Sequence, residues 1–313
     1  MPDMLGLRRI VGFSALALWL SGCGATHQVT QGEPAIEQSA LREPQPFTRL
    51  DPQRYTPEAW PEPLRAHVLL PSTQSSALRP AALVVHGGRL AESWAGGYGA
   101  YRRAVSGSGI RDGKYRTPFC PPTIASPAQL HDLQQAMAWI HANAATWQID
   151  TDRIVGVGFS SGAHLVSLLA LAGSDGPLAD PYGGEHARLA AVMAGGLPSD
   201  LLKFDDGRLV VDFIGGTRAE RPEAYALASP ARQITAKAPP FFLFHGSWDQ
   251  LVPVDHATDF YAALKAQGTP SELYLQRGRG HVTSFLLRGS AIEAGIAFLN
   301  RQVLLREAAY PSG

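Results

Sequence analysis

The sequence predicts an α/β fold, with a mostly parallel central sheet flanked by helices on both faces. Three observations predict it. From about residue 65 onward, short apolar runs alternate with segments of helical periodicity, the pattern of strands enclosed between helical layers. Several of those runs are wholly apolar, such as residues 241–244. One apolar run, residues 154–158, passes directly into an apolar helical segment at 163–171.

The elements follow in chain order. Residues 66–70 and 81–85 read as strands. Ser126-Pro127 predicts a helix start, a capping side chain followed by proline at the first helical position. It leads into Leu130, Leu133, Met137 and Ile140 at helical spacing. Residues 189–194 and 241–244 are further buried strands. Residues 255–267 form a helix closed by Gly268, and residues 272–275 the next strand. Ser290 and Glu293 have capping-box spacing and open a last helix running to about residue 305. Between Ala104 and Arg116 the pattern calls for an apolar strand, but the chain there is polar and glycine-rich. That segment is expected as a frayed strand or a rebuilt loop.

The amino terminus reads differently. Arg8 and Arg9 precede a mainly apolar stretch at 10–20. It is too short for a membrane span, which needs roughly 20 residues, and suits a signal-peptide core. Residues 1–22 are therefore expected as a signal peptide, residues 23–60 as a spacer that becomes an ordered arm near Tyr55 and Trp60, and residues 61–313 as the main domain. The stretch ends in Leu20-Ser21-Gly22-Cys23, which resembles the lipobox of bacterial lipoproteins. That resemblance implies cleavage before Cys23, lipid on its sulfur, and a place in the cell envelope on a bacterial membrane. Cys120 is then the only other cysteine and is expected to serve packing.

Charge narrows the function classes. Lys plus Arg and Asp plus Glu both number 27, a formal net charge of zero. No basic face for nucleic acid is indicated. No histidine pair has metal-site spacing with a third ligand nearby, so no metal is expected, and the serine chemistry read from the motifs below requires no cofactor.

Gly158-Phe159-Ser160-Ser161-Gly162 fits G-x-S-x-G between a predicted strand and a predicted helix. A sharp strand-to-helix turn holds the central serine in a strained backbone, and the glycines admit neighbouring chain. Ser160 is the candidate nucleophile; Ser161 competes but is not central between the glycines. Serine needs a base, and the base needs an orienting acid. Asp249 follows the buried strand at 241–244, and His281 lies in a glycine-rich loop after the strand at 272–275. Asp255 is a weaker rival for the acid because it reads as a helix cap. His86-Gly87-Gly88 follows an apolar strand, where glycine amides can face a substrate carbonyl, with the Ser161 amide as the other donor. Of the remaining histidines, His164 is expected to pack under the elbow and His245 to end a buried strand. His131, His141 and His256 are expected on helix surfaces.

Together these segments resemble the carboxylesterase and feruloyl-esterase-like branch of the α/β-hydrolases, near the hormone-sensitive-lipase-like esterases. The likeness spans about residues 65–300. It rests on His86-Gly87-Gly88, Tyr115-Arg116 with the helix carrying Asp132, Gly158 to His164, Ala228-Ser229-Pro230, His245 to Pro253, and Gly280-His281. It implies a triad of Ser160, Asp249 and His281, an oxyanion hole from the amides of Gly87, Gly88 and Ser161, and a small-molecule ester as substrate. Arg89 departs from the relatives' third glycine, and Val282 and the polar segment before Tyr115 depart as well. A prolyl-oligopeptidase-like peptidase and a non-catalytic envelope lipoprotein are the alternatives.

Overall fold

The computed structural model describes residues 24–29, 46–72, 77–87, 111–115 and 126–309. The expected signal peptide, Cys23, Gly88, Arg89 and Cys120 lie outside the described residues.

The strands are β1 (Ala25–Val29), β2 (Phe47–Arg49), β3 (Gln53–Arg54), β4 (Arg65–Pro71), β5 (Arg79–Val85), β6 (Arg111–Tyr115), β7 (Ile149–Phe159), β8 (Ala191–Gly195), β9 (Phe241–Gly246) and β10 (Ser271–Gln276). They form one sheet in the order β1-β10-β9-β8-β7-β5-β6-β4-β2, with β3 on β4. From β10 through β6 all pairings are parallel. The outer strands β1, β2, β3 and β4 pair antiparallel. The α/β class read from the sequence is the class observed.

Successive side chains of a strand point to opposite faces, and here both faces are buried. Ala81, Leu83 and Val85 of β5 join one core together with Leu133, Val166 and Phe260 from helices on that side. Ala82 and Val84 join the other, against Phe285, Ile296 and Phe298. In β9, Phe241 and Leu243 face the first core, Phe242 and Phe244 the second. This explains why the run is wholly apolar, each buried ring contributing about 2–3 kcal/mol. The first layer holds α1 (Ala128–Ala142), α3 (Ser161–Ala172) and α6 (Asp255–Ala266). The second holds α7 (His281–Leu286) and α8 (Gly289–Ala309). The short helices α2 (Ala144–Trp147), α4 (Arg208–Ile214) and α5 (Pro222–Leu227) complete the set among the described residues.

Several expectations need correction. The polar segment before Arg116, for which the sequence leaves a frayed strand and a rebuilt loop both open, forms a strand, β6, between β5 and β4. Two paired neighbours satisfy its backbone, so apolar side chains are not required for it to be held. The expected spacer also contributes structure, since β1 adds antiparallel to β10 and β2 and β3 pair with β4. A sheet edge offers unpaired main-chain groups that an extended polar segment can use, and His27 Nε2 lies 2.6 Å from Glu272 of β10. Helix α1 begins at Ala128 with Pro127 as its N-cap and no side-chain cap. Ser290 lies inside α8, not at its cap, and accepts a hydrogen bond from the Tyr274 hydroxyl at 2.9 Å.

The arm at 46–64 is docked by two aromatics. Tyr55 is buried in the first core, and the Trp60 indole N–H donates to Asp132 of α1 at 2.8 Å. Burial pushes the Asp132 carboxyl up to about 6; Glu62 adds to this, while the Trp60 bond opposes it. A carboxyl raised in the folded state stabilises the fold below its unfolded pKa of about 4, and that contribution is lost as pH climbs through the folded value. Asp132→Asn keeps an oxygen for Trp60 and removes the buried charge. It is expected to raise stability by about 1–3 kcal/mol at pH 8 and to match wild type near pH 4. Thermal melts across that range check this, and a pH-independent difference would contradict it.

Candidate active site

The carboxyl ends of the parallel strands meet along one edge of the sheet. Ligands in open α/β sheets bind at that edge. Gly87 follows β5, Ser160 follows β7, Gly196 follows β8, Asp249 lies in the turn after β9, and His281 comes after β10. Strands β5, β7, β8, β9 and β10 are consecutive neighbours in the sheet.

Ser160 stands between the end of β7 and Ser161, the first residue of α3, with φ 57° and ψ −127°. That left-handed φ is costly for a non-glycine residue and persists only where the surroundings impose it. Two contacts do so: Ser160 N–H donates to the Gly195 carbonyl at 2.8 Å, and His164 N–H donates to the Ser160 carbonyl at 3.0 Å. A Cβ on Gly158 would collide with the Gly162 carbonyl, and one on Gly162 with the Val85 carbonyl. The pattern's glycines are thus required by close backbone approach. Gly87 presses on the same turn, since a Cβ there would strike the Phe159 carbonyl and come within 3.0 Å of the Ser160 Cβ. Ser161 sits at the amino end of α3, where helix amides favour negative charge.

His281 is the first residue of α7 and not a loop residue as expected. Its Nδ1 lies 2.6 Å from Asp249 Oδ2, and its Nε2 lies 2.9 Å from Ser160 Oγ. A carboxylate only accepts, so Nδ1 carries the hydrogen and Nε2 is left to accept from the serine hydroxyl. The Phe159 ring backs the imidazole at 5.0 Å. Gly196, with φ 54°, leaves room beside it, because a Cβ there would lie 3.0 Å from His281 Cε1.

Asp249 is 4% exposed. Its Oδ1 accepts from the amides of Leu251 at 2.9 Å and Val252 at 2.8 Å. Burial pushes its carboxyl up, but hydrogen bonds from His245, His281 and the Val252 amide together outweigh this and hold it well below the usual carboxylate range. The turn is locked to the histidine segment where Trp248 N–H donates to the Arg279 carbonyl at 2.9 Å. Trp248 itself is 70% exposed, and Leu251, Val282 and Leu286 are exposed too. The segments carrying Asp249 and His281 therefore show apolar side chains to solvent.

The structure thus brings Ser160, Asp249 and His281 into contact and sets Gly87 and Ser161 beside Ser160. Asp255, the weaker rival, is the first residue of α6 and pairs with Lys203 at 2.8 Å. His164 lies buried one turn past Ser160, bonded through Nδ1 to the Pro198 carbonyl at 2.9 Å, and burial lowers its pKa to about 4. His256 corrects the expectation of a helix-surface histidine. It is 1% exposed, and its Nδ1 accepts from the Ser199 amide at 3.1 Å. Its helix position looks solvent-facing until the loop after β8 covers it. Sequence reasoning missed the contributions of His245, Phe159 and Gly196. The Gly195-Gly196 pair after an apolar run carried a signal, and so did His245, which opens the His245 to Pro253 segment on which the family likeness rests. Among the described residues no cluster of three or more His, Cys, Asp or Glu side chains could hold a metal ion.

A family model, BD-FAE, matches residues 67–264. The chain belongs to the BD-FAE family. The match contains Ser160 and Asp249 and stops before His281. This BD-FAE chain is 30% identical over 166 residues to Esterase LipQ of Mycobacterium tuberculosis, covering 51% of this chain and 39% of that protein. It is 28% identical over 253 residues to Isoprenylcysteine alpha-carbonyl methylesterase ICME of Arabidopsis thaliana, covering 73% and 57%. The chain spans less than half the length of the mycobacterial relatives it matches. Among solved structures, a truncated carbohydrate esterase from gut microbiota superposes with a TM-score of 0.69 at 20% identity, covering 84% of this chain and 98% of that one. The esterase Est2 of Thermogutta terrifontis gives 0.64 at 20% identity, covering 80% and 91%. These likenesses establish the α/β-hydrolase fold.

Proposed function

We propose that the protein hydrolyses carboxylic esters through an acyl-enzyme. The observation that carries this reading is the continuous contact from Asp249 through His281 to Ser160, at 2.6 and 2.9 Å. Ser160 Oγ attacks the ester carbonyl carbon while its proton passes to His281 Nε2. The carbonyl π electrons move onto oxygen, where the amides of Gly87 and Ser161 receive the charge. Collapse of this adduct breaks the C–O bond to the alcohol, which takes the proton from His281. Water then attacks the acyl carbon with His281 again as base, and the acid departs as Ser160 recovers its proton. Asp249 orients the imidazole and balances its charge without being protonated itself.

Two further observations support the reading. The curated relatives LipQ and ICME carry esterase names. The exposed Trp248, Leu251 and Val282 on the segments bearing Asp249 and His281 suit an uncharged, partly apolar substrate.

Purified protein incubated with nitrophenyl acetate, butyrate and octanoate is expected to hydrolyse at least one of them. A fluorophosphonate probe is expected to form an adduct on Ser160. Neither hydrolysis nor adduct would leave the non-catalytic binding role standing. Cleavage of a proline nitroanilide in preference to every ester would favour the peptidase.

A further inference from the structure

We propose that His245 is a positioning residue for Asp249, and this rests on the ester-hydrolase reading above. His245 sits next to the end of β9, and neither its side chain nor that of Asp249 is exposed. Its Nε2 lies 2.8 Å from the Val252 carbonyl and 3.4 Å from Asp249 Oδ2. A carbonyl only accepts, so Nε2 carries the hydrogen, and that N–H is directed to the Asp249 turn. Val252 is engaged at both ends: its N–H donates to Asp249 Oδ1, and its carbonyl receives His245. The result is a closed loop of contacts from the rigid strand to the turn and back to the carboxylate.

This arrangement has a use in the proposed reaction. Asp249 Oδ1 is held by two backbone amides, whereas Oδ2 otherwise depends on the His281 imidazole. That ring gains and loses a proton in every cycle. His245 supplies Oδ2 with a second N–H neighbour that takes no part in the proton transfer. Its interaction also helps keep the Asp249 carboxyl below the usual range. Packing alone does not account for an imidazole here. The four residues before it, Phe241 to Phe244, are apolar. Burying a polar ring is costly unless it hydrogen-bonds, and His245 Nδ1 has no hydrogen-bond partner among the described residues. An aliphatic side chain would fill the space without that cost.

The test compares His245→Leu, His245→Asn and His245→Gln with wild type. Leucine removes the donor. Asparagine keeps a polar group whose amide falls short of Val252 and Asp249, so it serves if the leucine variant folds poorly. Glutamine reaches as far as Nε2 and offers two N–H groups, one for each acceptor. With nitrophenyl esters, leucine and asparagine are expected to lower kcat about 10- to 100-fold, with KM changed less than about twofold, and glutamine to recover most of the loss. In an Asp249→Asn background the leucine change is expected to cost less than about twofold, because a residue acting through Asp249 has nothing left to position. Equal kcat in all single variants, or a full leucine penalty on top of Asp249→Asn, would overturn the proposal. A wild type that neither hydrolyses esters nor takes the fluorophosphonate probe overturns the hydrolase reading and His245's role with it. An active wild type with unaffected variants overturns His245's role alone.

Discussion

Ser160→Ala is expected to lower kcat for ester hydrolysis by roughly ten-thousand- to million-fold, with the fold intact. The substitution removes one oxygen and keeps the Cβ. The strained backbone at φ 57° is unchanged, and so are its bonds to Gly195 and His164. Alanine occupies that conformation no less well than serine, so the melting temperature is expected to stay within a few degrees. What disappears is the atom that His281 Nε2 faces at 2.9 Å. Substrate still meets the amides around Gly87 and Ser161, so binding changes little and the loss falls on kcat. Steady-state kinetics beside thermal melts make the comparison. A variant within tenfold of wild type would mean that another group, Ser161 foremost, does the attacking.

Asp249→Asn is expected to cost roughly a thousand- to ten-thousand-fold in kcat, for a reason that depends on which oxygen bonds to what. Oδ1 accepts two backbone amides, from Leu251 and Val252. Only the carbonyl oxygen of asparagine can take that place, so its NH2 must occupy the position of Oδ2. There it faces His281 Nδ1 at what was a 2.6 Å hydrogen bond. Two donors cannot face each other, so the imidazole must move its hydrogen to Nε2 and can no longer accept from Ser160. The same NH2 also confronts the His245 N–H, which adds a smaller loss of stability. Nitrogen NMR of His281 in the variant reads the tautomer directly. An unchanged tautomer beside full activity would refute this account of Asp249.

How much of this was legible in the sequence differs from element to element. The buried strands at β5, β7 and β9 were plain, because a sheet covered on both faces needs apolar side chains on both. The strand β6 was not, since its hold is main-chain pairing with β4 and β5. The edge strand β1 was hidden for the same reason. Gly158, Ser160 and Gly162 could be read because an elbow constrains three residues within five positions. Asp249 and His281 could be proposed because each follows a strand, although the short helix starting at His281 was not foreseen. In the local pattern His245 is no more than the end of a strand; its contact with the Asp249 turn is a matter of how the chain turns back. His256 has a helix-surface position in the sequence yet is buried, because a helix shows its period but not which loop will cover it.

The sequence by itself determined the α/β class, the strands β5, β7, β8, β9 and β10 of the parallel core, and the glycines without which the Ser160 turn cannot close. These depend on local sterics and on hydrophobic periodicity, both of which are written within short windows. Only the tertiary structure decided that residues separated by 121 positions, Ser160 and His281, lie 2.9 Å apart. It also decided that Asp249 is enclosed by His245, His281 and two backbone amides. Those contacts follow from which strands become neighbours and in what register, and that choice is made by the packing of the whole sheet between its two helical layers.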